Sequence, residues 1–134
     1  MSNTGERDLA VMLATLDPVV RPGEFVYVTL PDPPAVPVQA LVREDEGVTV
    51  VVGRTVADAH GWPYAFVAAW ITLRVHSDLA AVGLTAAFSA ALAARSIPCN
   101  VLAGSFHDHL LVPADRVDDA VAALRLLAAS ADAR

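Results

Sequence analysis

The sequence contains no lysine: all 9 of its basic residues are arginine, set against 15 Asp and Glu. Schiff-base chemistry and a lysine general base are therefore excluded. The resulting net charge of -6 has no basic cluster to offset it, which argues against a nucleic-acid partner, because neutralising phosphates requires grouped cations. Cysteine is nearly absent. Cys99 alone cannot form an intrachain disulfide and suits a reducing compartment. Long apolar spans are lacking too: the run from Tyr64 is interrupted by Thr72, Arg74, His76 and Asp78, and the run from Leu79 stops at Arg95. Neither reaches the roughly 20 residues needed to cross a bilayer, so no membrane partner is expected. Residues 1–6 show no basic and apolar leader. Together these absences lead us to expect a soluble cytoplasmic protein.

What is present is apolar mass, 55% of 134 residues, enough for one compact domain or two small halves packed intimately. Leu9, Met12, Leu13 and Leu16 recur with helical spacing and predict a short helix stopped by Asp17-Pro18. A strand is expected over 25–30, then a proline-rich surface loop over 31–37. Apolar runs at 40–43 and 48–52 flank Glu44-Asp45-Glu46-Gly47, which predicts a β-hairpin with an acidic tip. A short helix over 55–60 should end at Gly61.

The run 64–75 reads as a central strand. One face, Val67, Ala69, Ile71, Leu73 and Val75, is wholly apolar; the other, with Phe66, Trp70, Thr72 and Arg74, is mixed. Ser77 or Asp78 is expected to cap a helix running to about Arg95, with Gly83 inside its first turns. Two paired strands over 99–103 and 107–112 should follow, then a helix burying Val117, Ala120, Val121, Leu124, Leu127 and Ala128. The order of elements repeats on either side of the long strand. It predicts an α+β protein of two ferredoxin-like βαββαβ halves, residues 1–62 and 63–134.

The runs that carry most information are Ile71-Thr72-Leu73-Arg74-Val75-His76-Ser77-Asp78-Leu79 and the stretch from Ile97 to Pro113 with its Phe106-x-Asp108-x-Leu110-x-Val112 core. With the helices around them, these resemble the ACT domain, in particular the aspartokinase-like branch of small stand-alone bacterial proteins. Residues 43–50 resemble the N-terminal half of such proteins. The resemblance implies an ACT-type ferredoxin-like fold, a regulatory role without catalysis, and a small-molecule effector, with an amino acid favoured. It implies no cofactor. It also implies that ACT units pair side by side around the ligand, within one chain or as a homodimer. The mixed strand face carrying Phe66, Trp70 and Thr72 would otherwise leave aromatic surface exposed, which also favours the homodimer.

Two groups are candidate ligand contacts. The first is the strand-to-helix turn with His76, Ser77, Val82, Gly83 and Leu84, since N–H groups opening a helix attract a carboxylate, and the resemblance assigns effector binding to this turn. The second is Asn100, Leu102, Ser105 and Asp108, whose polar members suit an amino acid's ammonium and carboxylate. Ordinary helix capping and turn formation account for the same residues without a ligand. Glu44 is a secondary candidate, because its neighbours Asp45 and Glu46 read first as a solvated tip. His107 and His109 share a strand face, but no second ligand pair accompanies them, so no metal site is expected. Cys99 reads as a small buried hydrophobe rather than a nucleophile. The rival reading is a structural or protein-interaction module that has lost its ligand site.

Overall fold

A computed structural model describes residues 5–132. Its elements are α1 (Leu9–Ala14), β1 (Pro18–Leu30), β2 (Ala40–Glu44), β3 (Gly47–Gly53), α2 (Arg54–His60), β4 (Val67–Leu73), α3 (Leu84–Ala93), β5 (Asn100–Ala103), β6 (Asp108–Pro113) and α4 (Val117–Asp132), with a single 3-10 turn, Ala114–Arg116, before α4. The strands form one antiparallel sheet in the order β2-β3-β1-β4-β6-β5.

Two ferredoxin-like orders overlap in that sheet. The first uses β1, β2, β3 and β4, with neighbours β2-β3-β1-β4. Its crossover between β1 and β2 is the proline-rich segment 31–39, which holds no helix because prolines at 31, 33, 34 and 37 remove the N–H donors a helix needs. The second uses β4, β5 and β6, with α3 and α4 as its helices, and takes its returning strand from the start of β1. Pro18, Val19, Val20 and Arg21 pair there with Leu73, Thr72, Ile71 and Trp70. The two halves thus share the central strands β1 and β4. They are not two separate sheets.

β1 is longer than the sequence suggested. Pro18 sits at its first position, where a missing N–H costs least, and the register shift between Arg21 and Phe25 absorbs Pro22 and Gly23, the latter at φ 95°. The alternation read from β4 holds. Ala69, Ile71 and Leu73 face α1, α3 and α4 through Met12, Leu16, Phe88, Leu92 and Leu124, while Val26, Val28, Val50 and Val52 pack on Ala57 of α2 on the same side of the sheet.

Among the described residues the opposite side carries no helix, and it holds Phe25, Val51, Ala68, Trp70 and Leu111. The expectation that Trp70 would leave aromatic surface bare is corrected here: it is only 3% exposed. Phe25, the Arg21 guanidinium and the His109 imidazole lie against its ring. Among the described residues no helix is long and apolar enough to cross a membrane.

Candidate functional site

The helix after β4 begins later than its sequence suggested. Asp78 does not cap it: residues 77–83 form an irregular turn, and Gly83 at φ 103° is the N-cap of α3. Asp78 instead organises the turn, its Oδ1 accepting from the N–H of Ala80 at 2.7 Å and its backbone carbonyl from Ala81 at 2.9 Å. The N–H of Ala80, together with the Arg7 guanidinium 3.3 Å away, holds the Asp78 carboxyl below its ordinary pKa. Gly83 has no side-chain oxygen, so among the described residues no N-cap side chain bonds the opening N–H groups of α3, and a helix that opens this way is suited to meet an anion.

The sequence did not reveal the strap that holds this turn. Residues 5–8 run alongside residues 76–78: Glu6 donates its N–H to the carbonyl of His76 at 2.7 Å, and Asp78 donates to that of Glu6 at 2.9 Å. Gly5 lies so close to the His76 carbonyl that a Cβ there would collide with it. That glycine, just ahead of Glu6-Arg7-Asp8, was the only sequence signal of a close backbone approach. Leu9 then covers Gly83 from the first turn of α1.

An open cleft of about 340 Å³ lies between this turn and the β5–β6 connection. It brings together Ser77, Val82, Gly83, Leu84 and Asp108, all anticipated as ligand contacts, and adds Thr85 and Gly104. Asp108 is half-buried on the cleft wall. Burial raises its pKa, with the His107 charge opposing that rise in part, and its carboxylate forms no hydrogen bond or ion pair among the described residues.

Other anticipated residues fall elsewhere. His76 stands beside the turn with its ring 5.1 Å from that of Phe106. Ser105 lies exposed in the β5–β6 turn, and Leu102 belongs to the helix-free sheet face. Asn100 is at the far end of β5, its amide donating to the Leu111 carbonyl at 3.5 Å. Glu44 is on the edge strand β2, bonded to the Thr49 hydroxyl, and does not join this cleft. His107 and His109 diverge, the first toward the Val75 carbonyl and the second toward Thr72. Among the described residues, no three of His, Cys, Asp and Glu converge as metal ligands. Burial pushes the Cys99 thiol up to about 11, which leaves it protonated and unreactive at neutral pH.

Two ACT domain family profiles match the chain, over residues 4–69 and 66–125. The chain belongs to the ACT domain family. ACT domains are regulatory modules that bind small-molecule effectors, and this chain is a regulatory, ligand-binding protein at that level.

A Vibrio cholerae protein of unknown function, described as a possible transport protein, is 35% identical to this ACT protein, covering 90% of this chain and 95% of its own with a TM-score of 0.82. The regulatory subunits of aspartate kinase from Thermus thermophilus and Thermus flavus share the fold. They are 10% and 11% identical, with TM-scores of 0.63 and 0.59, covering 84% and 82% of this chain and 97% and 95% of their own. No match is found among the curated proteins.

Proposed function

We propose that this ACT protein binds a free amino acid in the cleft between the 77–84 turn and Asp108, and that it catalyses no reaction. One observation carries the reading. An uncapped helix N-terminus, suited to a carboxylate, and an unpaired carboxylate, suited to an ammonium, line the same cleft. An α-amino acid carries that pair of opposite charges side by side on one carbon. The turn residues His76, Ser77, Val82, Gly83 and Leu84 would hold the carboxylate end and Asp108 the ammonium. Asn100, Leu102, Ser105 and Glu44 would contribute only if a second chain brought them to the ligand.

A homodimer completes this proposal. Leu79, Val82 and Phe106 are 68%, 83% and 56% exposed, and they cluster at the turn and the neighbouring β5–β6 connection. Apolar side chains grouped beside an open cleft are suited to burial against another copy. Within each chain, 1–62 and 63–134 would act as the two ACT-like halves, each completed by a strand of the other (β4 for the first, the start of β1 for the second), in a cytoplasmic protein.

A thermal-shift screen against the common amino acids at millimolar concentration tests the proposal, since a ligand bound only by the folded state at 100 times its Kd adds about 2.7 kcal/mol of stability. A saturable rise for one amino acid, with sedimentation at twice 14.0 kDa, is the expected result. No shift with any amino acid would leave a module that has lost its ligand site.

A further inference from the structure

A second cleft opens on the helix-free face of the sheet, and the amino-acid reading does not use it. It has a volume of about 270 Å³. The sheet register builds it: Arg21 of β1 lies directly opposite Trp70 of β4, and one step along, Thr72 of β4, His109 of β6 and Leu102 of β5 stand in a row. The Arg21 guanidinium stacks on the Trp70 ring at 4.1 Å and donates one N–H to Gln39 Oε1 at 2.7 Å. Stacking fixes the plane of the guanidinium fork without consuming its remaining donors.

In a chain with 15 acidic and 9 basic residues, carboxylates are in excess. Arg7, Arg54, Arg74 and Arg116 each take one. Arg21 forms no ion pair among the described residues, although it lies over the Trp70 ring, bonds Gln39 and is partly buried.

The neighbouring imidazole is set up in the same sense. The Trp70 indole N–H, which can only donate, lies 3.2 Å from Thr72 Oγ1 and 3.3 Å from His109 Nδ1, and the Thr72 hydroxyl is 2.9 Å from that same nitrogen. With the Trp70 N–H directed at Nδ1, we assign that nitrogen as an acceptor, which puts the ring proton on Nε2. Burial, with the Arg21 charge adding to it, keeps the His109 pKa below its ordinary value, so the ring is a neutral donor. Gly104 keeps the space beside Nε2 open: a Cβ on it would come within 3.5 Å of that atom. Two sets of N–H donors thus line one cleft whose walls also include Leu102 and Ala40, and among the described residues no carboxylate lines it.

We infer that this cleft is a second binding site, separate from the amino-acid cleft, for a small organic carboxylate, with Arg21 and His109 Nε2 donating to its oxygens and its carbon skeleton resting on Leu102 and Ala40. The two clefts share the wall Ala103-Gly104, so occupancy of one is positioned to be felt in the other.

The test uses Trp70 as reporter. In a Trp62→Phe background the remaining indole fluorescence is that of Trp70, and sodium propionate and sodium benzoate are titrated at constant ionic strength against sodium chloride. The inference expects a saturable change with the carboxylates and none with chloride. It also expects affinity at least tenfold lower in Arg21→Gln and within about twofold of the parent in Asp108→Asn, whose side chain lies in the other cleft. An equal response to chloride, or Arg21→Gln binding as tightly as the parent, overturns it. Should Arg21→Gln fail to fold, the imidazole nitrogen resonances of the unsubstituted protein decide: a His109 Nε2 shift that saturates with propionate supports the site, and a stationary His109 overturns it.

Discussion

Leu9 and Gly83 meet at the edge of the cleft between the 77–84 turn and Asp108: a Cβ built on Gly83 would stand 3.1 Å from Leu9 Cδ2. The backbone at Gly83 is also left-handed, at φ 103°. The glycine therefore serves two local needs, the reversal into α3 and room for the helix that precedes the sheet.

Gly83→Ala is expected to lower stability by about 1–2 kcal/mol, the cost of placing an L side chain in the left-handed region, with crowding of Leu9 in addition. Urea denaturation measures it. An unchanged midpoint would mean that the turn relaxes freely and that Leu9 does not constrain it. Because the substitution would weaken folding and binding together, Gly83→Val is a poor probe of the ligand.

Ile71 is fully buried on the helix-facing side of β4. Its replacement by alanine should cost about 2–5 kcal/mol, as for other large-to-small changes in a packed core. A loss below about 0.5 kcal/mol, typical of a surface site, would contradict the face assignment.

Asp78 and Asp108 should give opposite pH signatures. The Asp78 pKa is lowered on folding, so its contribution is present above the ordinary carboxylate pKa and is lost as pH falls through the folded value. The Asp108 pKa is raised, so the folded state binds the extra proton and stability declines as pH rises from the ordinary value through the folded one. Asp78→Asn is therefore expected to shrink the loss of stability on acidification, whereas Asp108→Asn should be as stable as the parent or more so at pH 7. Denaturation midpoints between pH 3 and 7 check both signs.

Cys99, with its thiol pushed up to about 11 by burial against the α3 and α4 core, should resist iodoacetamide at pH 8 in the native protein and react quickly in urea. Equal rates in the two states would place the thiol at the surface.

The parts of the fold that were legible from sequence are those governed by period and local chemistry. The alternation through Ile71 and Leu73, the Gly61 stop after α2 and the acidic hairpin tip each depend on residues a few positions apart. The start of α3 was misread because Asp78 has the chemistry of a cap and the residues after it are apolar throughout; only the φ of Gly83 moves the cap. The first residues of β1 were missed because Pro18 and Pro22 argue against a strand, and the bulge that admits them depends on the partner β4.

For the site, Ser77, Gly83 and Asp108 could be found because turn and strand-end chemistry marks them. The strap from Gly5 to Leu9 and the Arg21–Trp70–His109 cluster could not. Their members are distant in sequence, Trp70 and His109 by 39 positions, and meet only through strand register.

The central claim is that one cleft reads both charged groups of an amino acid, and calorimetric titration of the Asp108→Asn variant beside the parent tests it most directly. The ligands are the amino acid selected by thermal shift and its N-acetyl derivative, which keeps the carboxylate and loses the ammonium. The account predicts that the parent binds the free amino acid at least tenfold more tightly than the N-acetyl form. It also predicts that Asp108→Asn, folded and no less stable at pH 7, loses that preference. Equal affinity of the parent for both ligands, or an undiminished preference in Asp108→Asn, would contradict it.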